Sequence, residues 1–469
     1  MQSRFLISAA HKSSGKTTLS IGLCAALKAR GLSVQPYKKG PDYIDPMWLS
    51  RASGRPCHNL DFYLMGHDEV TDVFEQHAAS ADVALVEGNK GLYDGLDLDG
   101  SNSNAALAKL LGVPVVLVID ARGMTRGVAP LILGYQAFDR DIRIAGVIFN
   151  QLGGSRHESK LRAVVEHYTD VPVLGAVQHA PEMQILERHL GLIPSNEAAE
   201  VDRQVQIIAD RVAAQVDLDS LLHRTLTEPA APVPPQYTAV VNSEPLRIGI
   251  ARDAAFGFYY EDDLQALQQG GAELLPINTL QDPKLPELDG LIIGGGFPES
   301  FMTELEGNAS LRTDIRTAID NGLPTYAECG GLMYLSRTMS WKGDTRQMVG
   351  IIPGDIVMHN KPVGRGYVRL KETGTGPWKT GAPVDEIHAH EFHYSSIENL
   401  PDGLTFAYDV MRGYGINGKQ DGLVYRNLLA SYTHLRSTRR YSWVARFLEQ
   451  VRQHRVALAT RRNQTALAH

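Results

Sequence analysis

Short apolar runs alternate with longer amphipathic stretches through the first half of the chain. The runs have the length and largely apolar character of strands buried in a parallel sheet, and they fall at Phe5–Ala9, Val83–Val86, Val115–Ile119 and Ile144–Phe149. Between them, apolar residues recur at helical spacing in Leu19–Arg30, Ala105–Leu111 and Ser159–His167. This alternation predicts an α/β fold in which helices cover both faces of a mostly parallel sheet.

The pattern breaks between Thr225 and Pro245 and then resumes. The break carries five prolines and no strong periodicity, which is typical of an interdomain linker. Beyond it, a second α/β pattern predicts strands and helices at Leu246–Ala251, Glu261–Gln269, Gly290–Ile293, Ser310–Asn321 and Pro324–Ala327. We therefore predict a first domain at residues 1–224, a linker at 225–245, a second domain at 246–440 and a C-terminal helix or tail at 441–469.

Composition narrows the classes of protein that fit this pattern. The 469 residues are 43% hydrophobic and 21% charged, as in an ordinary soluble protein, and the net charge of −7 argues against nucleic-acid binding. The three cysteines are too widely spaced for a disulfide framework or a zinc signature, which favours a reducing cytoplasm. The N-terminal apolar run ends at His11, too early for a signal peptide or a membrane span. We expect a cytoplasmic protein with no nucleic-acid or membrane partner.

The stretch AHKSSGKTT follows the first predicted strand and precedes the first predicted helix. It ends as a phosphate-binding loop does, with Gly15, Lys16 and Thr17, although Ala10 stands where a first glycine is usual. Backbone N–H groups at a helix start bind phosphate oxygens, a lysine neutralises the β- and γ-phosphates, and a threonine hydroxyl ligates Mg²⁺. A serine-rich helix cap is the alternative. The loop predicts ATP binding by Ser13, Ser14, Gly15, Lys16, Thr17 and Thr18.

Two later segments supply the carboxylates that Mg²⁺ prefers as ligands. KKGPDYIDP places Asp42 and Asp45 three residues apart beside two lysines, and VALVEGNKGLYDG places Glu87 at the end of an apolar strand, with Asp94 seven residues later. A parallel sheet presents its ligands at the carboxyl ends of its strands. Taken alone, Asp42 and Asp45 would be interpreted as turn residues, but a phosphate loop in the same chain favours a catalytic role.

In the second half, LPTYAECGGLMYL places Cys329 between an apolar strand and an apolar helical run. We expect a cysteine at such a turn to be exposed, and the helix start favours its thiolate as a nucleophile. Small neighbours leave room for backbone N–H groups that stabilise an oxyanion, and the candidates are Gly295, Gly296 and Gly330. His434 in SYTHLR is the candidate base. A buried structural cysteine is the alternative interpretation.

Taken together, these segments resemble one family, the cobyrinic acid a,c-diamide synthases, which are glutamine-dependent amidotransferases of tetrapyrrole side chains. The resemblance covers nearly the whole chain in one order: the phosphate loop, KKGPDYIDP, VEGNKGLYDG, GGGFPE, AECGGLMYL, HEFHYS and SYTHL. It implies an N-terminal P-loop amidoligase domain like dethiobiotin synthetase and a C-terminal class I glutamine amidotransferase domain of flavodoxin-like fold. The implied cofactors are ATP and Mg²⁺, and the implied partners are L-glutamine and a tetrapyrrole carboxylic acid. A homodimer is left open.

The resemblance also implies roles for single residues. Cys329 would attack the glutamine carboxamide, with His434 as its base. Arg436 stands where the usual triad glutaminases have a glutamate, so a Cys–His dyad is expected. Asn150 would bind the adenine. The implied Mg²⁺ ligands are Thr17, Asp42 and Glu87, and the implied substrate contacts are Tyr43, Ile44, Asp45 and Asp94.

The implied reaction uses ATP to phosphorylate a substrate carboxylate, and ammonia released at Cys329 displaces the phosphate, at the a and c side chains in turn. Departures from the family pattern at His58–Met65 and Met358–Val363 leave a close alternative, the same chemistry on sirohaem or nickel-sirohydrochlorin. A partitioning-type P-loop ATPase is a rival of another class, although His11 stands where its signature lysine belongs. A stand-alone glutaminase is a further rival, in which the phosphate loop would have no role.

Overall fold

The computed structural model describes residues 1–185, 187–188, 191–196, 200–228, 244–379 and 384–467. The chain forms two compact units, Met1–Pro235 and Gln236–His469. Residues 229–243, the central part of the predicted linker, lie outside the described residues. In the described part of the chain, no helix is long and apolar enough to cross a membrane.

The described part of the first unit contains an eight-stranded, mostly parallel sheet with helices on its faces and a separate two-stranded antiparallel sheet. Its strands are β1 (Gln2–Ala9), β2 (Val34–Lys39), β3 (His58–Leu60), β4 (Val83–Glu87), β5 (Val115–Asp120), β6 (Ile144–Leu152), β7 (Val173–Gln178), β8 (Glu187–Arg188), β9 (Gly191–Leu192) and β10 (Leu226–Thr227). Its helices are α1 (Lys16–Ala29), α2 (Ile44–Ser53), α3 (His67–Ala78), α4 (Asn104–Leu110), α5 (Val128–Phe138), α6 (Ser155–Tyr168), α7 (Val201–Gln215) and α8 (Leu218–Arg224). The sheet order is β3-β2-β4-β1-β5-β6-β7, and β10 pairs antiparallel with β1.

Strand β1 lies at the centre of this sheet, and its residues from Ser3 to Ala9 are all buried. It runs parallel to β4, and β4 runs parallel to β2, with Glu87 paired to Ile7 on one side and to Lys38 on the other. The carboxyl ends of these strands therefore meet at one edge of the sheet, where an open α/β fold binds its ligands. Helix α1 packs closely on α7 because a Cβ at Gly22 would lie 2.4 Å from Cγ2 of Val212.

The described part of the second unit contains a nine-stranded mixed sheet, a two-stranded sheet and a four-stranded sheet. Its strands are β11 (Leu246–Ala251), β12 (Phe256–Phe258), β13 (Ala272–Ile277), β14 (Gly290–Ile293), β15 (Gly295–Gly296), β16 (Thr325–Glu328), β17 (Thr338–Trp341), β18 (Asp344–Gln347), β19 (Asp355–Met358), β20 (Gly364–Glu372), β21 (Ile387–His393), β22 (Ser395–Glu398), β23 (Thr405–Arg412), β24 (Gln420–Tyr425) and β25 (Leu428–Ser431). Its helices are α9 (Glu261–Gln269), α10 (Met302–Gly307), α11 (Ala309–Asp320), α12 (Gly330–Leu335) and α13 (Trp443–Leu467).

The main sheet of this unit runs in the order β13-β11-β14-β16-β25-β24-β23-β20-β21. The pairs from β13 to β25 are parallel, and those from β25 to β21 are antiparallel. Apolar side chains at helical spacing, Trp443, Phe447 and Val451, bury the start of α13 in the same core as Leu246 of β11. The α/β fold predicted for both halves of the chain is confirmed.

Candidate active sites

The phosphate-type loop joins the end of β1 to the start of α1. Ser13 and Gly15 adopt left-handed backbone conformations, with φ of 61° and 85°. The side-chain amide of Asn150, in β6, donates to the carbonyl of Ser14 at 3.0 Å. The hydroxyl of Tyr135, in α5, donates to the carbonyl of Ala10 at 2.7 Å. Two side chains from other elements therefore hold the loop, including the position where the usual first glycine is missing.

Lys16 is the first residue of α1, and it is 8% exposed. Its ammonium group has no hydrogen-bond or ion-pair partner among the described residues. Desolvation lowers the pKa of Lys16, although the negative charge of Glu87 opposes the shift. A desolvated cation at a helix N-terminus fits an anionic ligand such as a nucleotide phosphate. The residues present thus fit ATP.

A cluster of carboxylates lies directly beside the loop. The hydroxyl of Thr17 donates to Oε1 of Glu87 at 2.6 Å and to Oδ2 of Asp45 at 3.2 Å. The ammonium of Lys38 donates to the same two oxygens, at 2.9 Å and 2.5 Å. The second carboxylate oxygen of Glu87 is buried and has no hydrogen-bond partner among the residues described. Asp42 lies next to this group and caps the start of α2, because its Oδ1 accepts from the backbone N–H of Asp45 at 3.0 Å.

The pKa values of this cluster reflect its burial. Burial, reinforced by the charge of Asp45, raises the pKa of Asp42 to about 7. Burial also raises the pKa of Glu87 above its ordinary value, against the opposing charge of Lys38. Two carboxylates that are costly to ionise, together with a hydroxyl, form the hard oxygen donor set that Mg²⁺ takes. Of the predicted Mg²⁺ ligands, Thr17 and Glu87 are in direct contact and fit a divalent cation, and Asp42 interacts with Glu87 through its charge. The other oxygen that accepts from Thr17 belongs to Asp45, which was predicted as a substrate contact, and the Mg²⁺ role of these residues stays a prediction.

The remaining predicted residues of the first unit have structural contacts of their own. Tyr43 directly precedes α2 and Ile44 is its first residue, and both are buried, 8% and 7% exposed. Asp94 accepts a hydrogen bond from the backbone N–H of Gly91 at 2.9 Å, and its charge acts on Lys16. Asn150 supports the phosphate loop, and its contact with adenine stays a prediction. Lys38 was not foreseen as a site residue; the only sequence signal was the pair of lysines in KKGPDYIDP.

In the second unit, Cys329 forms a sharp turn between β16 and α12. Its φ of 49° and ψ of −103° lie where non-glycine residues are strained. The turn closes tightly because a Cβ at Gly331 would lie 2.0 Å from the carbonyl oxygen of Ile293. The backbone N–H of Cys329 donates to the carbonyl of Ser431 in β25 at 2.7 Å. We expected an exposed cysteine, and this was wrong: Cys329 is 7% exposed, because the neighbouring elements cover the turn.

His434 follows β25 and reaches the turn through the pairing of β25 with β16. Its side chain is hydrogen-bonded to Cys329, and its Nδ1 lies 3.1 Å from Oε1 of Glu328. Burial would lower the pKa of His434, but the charges of Glu328 and Cys329 outweigh it and raise the pKa to about 10. The predicted Cys–His pair is thus assembled. Glu328 was missed as a partner, since adjacency to the cysteine in AECGG was its only signal.

The three glycines predicted to form an oxyanion hole surround this pair. A Cβ at Gly295 would lie 2.7 Å from Cε1 of His434, and a Cβ at Gly330 would lie 3.0 Å from the backbone nitrogen of Gly296. Larger residues would therefore collide with the imidazole or with the neighbouring backbone. Stabilisation of an oxyanion by the backbone N–H groups of these glycines stays a prediction.

A strained cysteine paired with a histidine, and a separate phosphate loop beside buried carboxylates, define a glutamine amidotransferase joined to a P-loop nucleotide-binding domain. Sequence models agree: residues 6–192 match the CobQ/CobB/MinD/ParA nucleotide binding domain, and residues 247–441 match the CobB/CobQ-like glutamine amidotransferase domain. The chain belongs to the cobyrinate a,c-diamide synthase family, a family of ATP-dependent glutamine amidotransferases.

Three relatives carry this assignment, and each is named cobyrinate a,c-diamide synthase. The one from Magnetococcus marinus is 49% identical over 439 residues, which cover 92% of this chain and 93% of the relative. The one from Methanosarcina acetivorans is 42% identical over 464 residues, 92% of both chains. The one from Caldanaerobacter subterraneus is 37% identical over 454 residues, 95% of this chain and 98% of the relative. These matches span both units and so disfavour the partitioning-type ATPase and the stand-alone glutaminase.

Proposed function

We propose that this protein amidates the a and c side-chain carboxylates of a cobyrinic-acid-type tetrapyrrole, using ATP, Mg²⁺ and glutamine. The observation that carries the proposal is that one chain holds both a buried carboxylate cluster beside a P-loop and a Cys–His pair. Each centre supplies what the other lacks, because a free carboxylate is a poor acyl donor and glutamine nitrogen must be released before transfer. The names of the relatives support a corrin as the substrate.

The glutaminase reaction takes place at Cys329. The cysteine sulfur attacks the carboxamide carbon of glutamine, a C–S bond forms, and the carbonyl electron pair moves to oxygen, where the N–H groups of Gly296 and Gly330 stabilise it. Protonated His434 gives its proton to the departing nitrogen, so the C–N bond breaks, ammonia leaves and a thioester remains. Neutral His434 then takes a proton from water, which attacks the thioester, releases glutamate and restores Cys329.

The synthetase reaction takes place at the phosphate loop. The loop N–H groups and the ammonium of Lys16 bind the phosphates, and Thr17, Asp42 and Glu87 are the residues that would hold Mg²⁺. A bound Mg²⁺ would supply positive charge to the phosphate oxygens. A carboxylate oxygen of the macrocycle attacks the γ-phosphorus, and the bond to ADP breaks. Ammonia then attacks the acyl carbon and phosphate leaves with the C–O electron pair, which gives the amide. Tyr43, Ile44, Asp45 and Asp94 are the proposed macrocycle contacts.

The test is to incubate the enzyme with ATP, Mg²⁺, glutamine and one macrocycle at a time, and to follow the masses of the products. We expect two amidations of cobyrinic acid and none of sirohaem or nickel-sirohydrochlorin. Amidation of either alternative in preference to cobyrinic acid would overturn the corrin assignment. The Cys329→Ala variant should fail with glutamine but amidate with free ammonia; loss of both activities would contradict the two-centre mechanism.

A further inference from the structure

The geometry points to Glu328 as the residue that positions His434 for glutamine hydrolysis, in place of a carboxylate two residues after the histidine. The inference rests on the proposed glutaminase chemistry and adds a residue that the Cys–His dyad does not contain. Glu328 touches neither glutamine nor the attacking sulfur in this role. It is a positioning residue that acts through the imidazole.

Strand pairing brings Glu328 and His434 together. Glu328 ends β16 and pairs with Ser431, which ends β25 and precedes His434 by three residues. The backbone N–H of His434 donates to the carbonyl of His390 at 2.8 Å, which fixes the histidine where the chain leaves the strand. In this position its Nδ1 faces Oε1 of Glu328 at 3.1 Å.

The turn at Cys329 allows adjacent residues to reach one imidazole. Successive side chains of a regular strand point to opposite faces, so Glu328 and Cys329 would diverge if β16 simply continued. The left-handed backbone at Cys329, with φ of 49°, breaks this alternation. The carboxylate of Glu328 can therefore contact Nδ1 of His434 while the sulfur of Cys329 is hydrogen-bonded to the same side chain.

The carboxylate of Glu328 is itself held in place. Its other oxygen, Oε2, accepts a hydrogen bond from the hydroxyl of Tyr326 at 2.7 Å, and the residue is 5% exposed. Among the ion pairs of the described residues, the only partner of this carboxylate is His434. A buried carboxylate beside an imidazole favours the protonated form of that imidazole. Glu328 thus selects an imidazolium whose Nδ1–H points at the carboxylate.

Other groups around His434 do not supply this charge. The ring of His390 stacks on the ring of His434 at 4.9 Å, and burial keeps the pKa of His390 well below its usual range. Arg436 pairs with Asp262, and its guanidinium lies over the ring of Tyr260 at 4.8 Å. A positive side chain thus occupies the sequence position of the usual triad carboxylate, and Glu328 supplies negative charge from the other strand.

The test compares Glu328→Gln with Glu328→Asp and with the control Glu372→Gln. Glu372 is a suitable control because it also accepts from a tyrosine hydroxyl, that of Tyr441 at 3.3 Å, but pairs with Arg446 at 3.0 Å. We expect Glu328→Gln to lower kcat for glutamine hydrolysis by about 100-fold or more, as loss of a triad carboxylate does, with KM for glutamine little changed. Amidation with free ammonia should persist. Glu328→Asp should recover part of the loss, and Glu372→Gln should match the wild type.

Two further readouts separate positioning from a general structural effect. In Glu328→Gln, the protonation midpoint of His434 followed by NMR should fall, and iodoacetamide should alkylate Cys329 with a shifted pH profile. Wild-type kcat and an unmoved His434 midpoint in folded Glu328→Gln would overturn the inference.

If Glu328→Gln does not fold, Tyr326→Phe is the second variant, because it removes the hydrogen bond to Oε2 of Glu328. It should lower kcat several-fold, and an unchanged kcat would count against the inference. If the wild-type enzyme releases no ammonia from glutamine, the proposed function fails, while the NMR midpoint still tests Glu328.

Discussion

Replacing Lys38 by methionine tests whether the carboxylate cluster is held by this ammonium group. Methionine keeps an unbranched side chain but removes the charge that Asp45 and Glu87 share. Removing one partner of a buried ion pair costs about 3–5 kcal/mol, since the other charge stays buried and uncompensated. The side chain of Glu87 is fully buried, whereas that of Asp45 is 15% exposed and keeps some water. We therefore expect a loss of about 3–4 kcal/mol in the free energy of unfolding at pH 7.5.

The neighbouring residue gives a matched control. Lys39 is in the same strand and is equally buried, but its ammonium donates to the backbone carbonyl and side-chain oxygen of Asn102, at 2.7 Å and 3.2 Å. Asn102 is partly exposed, so water can replace the lost donor. Lys39→Met should cost only about 1 kcal/mol. The difference in stability between the two variants therefore measures the cost of leaving the carboxylates of Asp45 and Glu87 without a cation, and not the loss of a lysine side chain.

The penalty in Lys38→Met should also depend on pH. Burial raises the pKa of Glu87 and the charge of Lys38 opposes that shift, so without Lys38 the folded variant takes up a proton at a higher pH than the control variant or the unfolded chain does. Proton uptake by the folded state makes its stability rise with falling pH. The gap between Lys38→Met and Lys39→Met should therefore narrow from pH 7.5 to pH 5.

The assay is hydrogen–deuterium exchange of peptides from β1 and β4 across a urea series, because these strands report unfolding of the first unit alone. A difference in the free energy of unfolding between Lys38→Met and Lys39→Met of less than about 1 kcal/mol at pH 7.5 would refute the reasoning. A difference that stays constant down to pH 5 would also refute it.

Two other changes separate the centres. Glu87→Gln keeps the shape of the side chain but removes its charge, so ammonia-dependent amidation should fall by about 100-fold or more and require more Mg²⁺; an unchanged Mg²⁺ requirement would contradict a ligand role. Gly331→Ala would place a Cβ 2.0 Å from the carbonyl oxygen of Ile293, so the Cys329 turn must shift and glutamine hydrolysis should fall more than about tenfold. Gly307→Ala is the control because a Cβ there would meet no atom within 4 Å outside its own helix and chain neighbours. Equal glutaminase activity of Gly331→Ala and Gly307→Ala would contradict the prediction, because the Cys329 turn would then tolerate the added methyl group.

Local sequence was sufficient to predict the fold class and to name most of the residues that lie together in the two candidate sites, whose roles stay predictions. The strand Phe5–Ala9 is buried on both faces, and such a run is recognisable from its own composition. The phosphate loop is likewise contiguous, so its order of residues fixes both the left-handed glycine at Gly15 and the helix that starts at Lys16. Features formed by residues that are adjacent in sequence can be predicted from the sequence alone.

Tertiary structure decided the partners of these residues. Lys38 meets Glu87 only because β2 and β4 are adjacent strands, and Glu328 meets His434 only because β16 pairs with β25. Cys329 was expected to be exposed, yet the surrounding elements bury it. Each of these facts depends on which distant segments become neighbours and in which register. The sequence by itself determined the secondary-structure elements and the chemical groups at their ends. The pairing of the strands decided which of these groups form hydrogen bonds and ion pairs with each other.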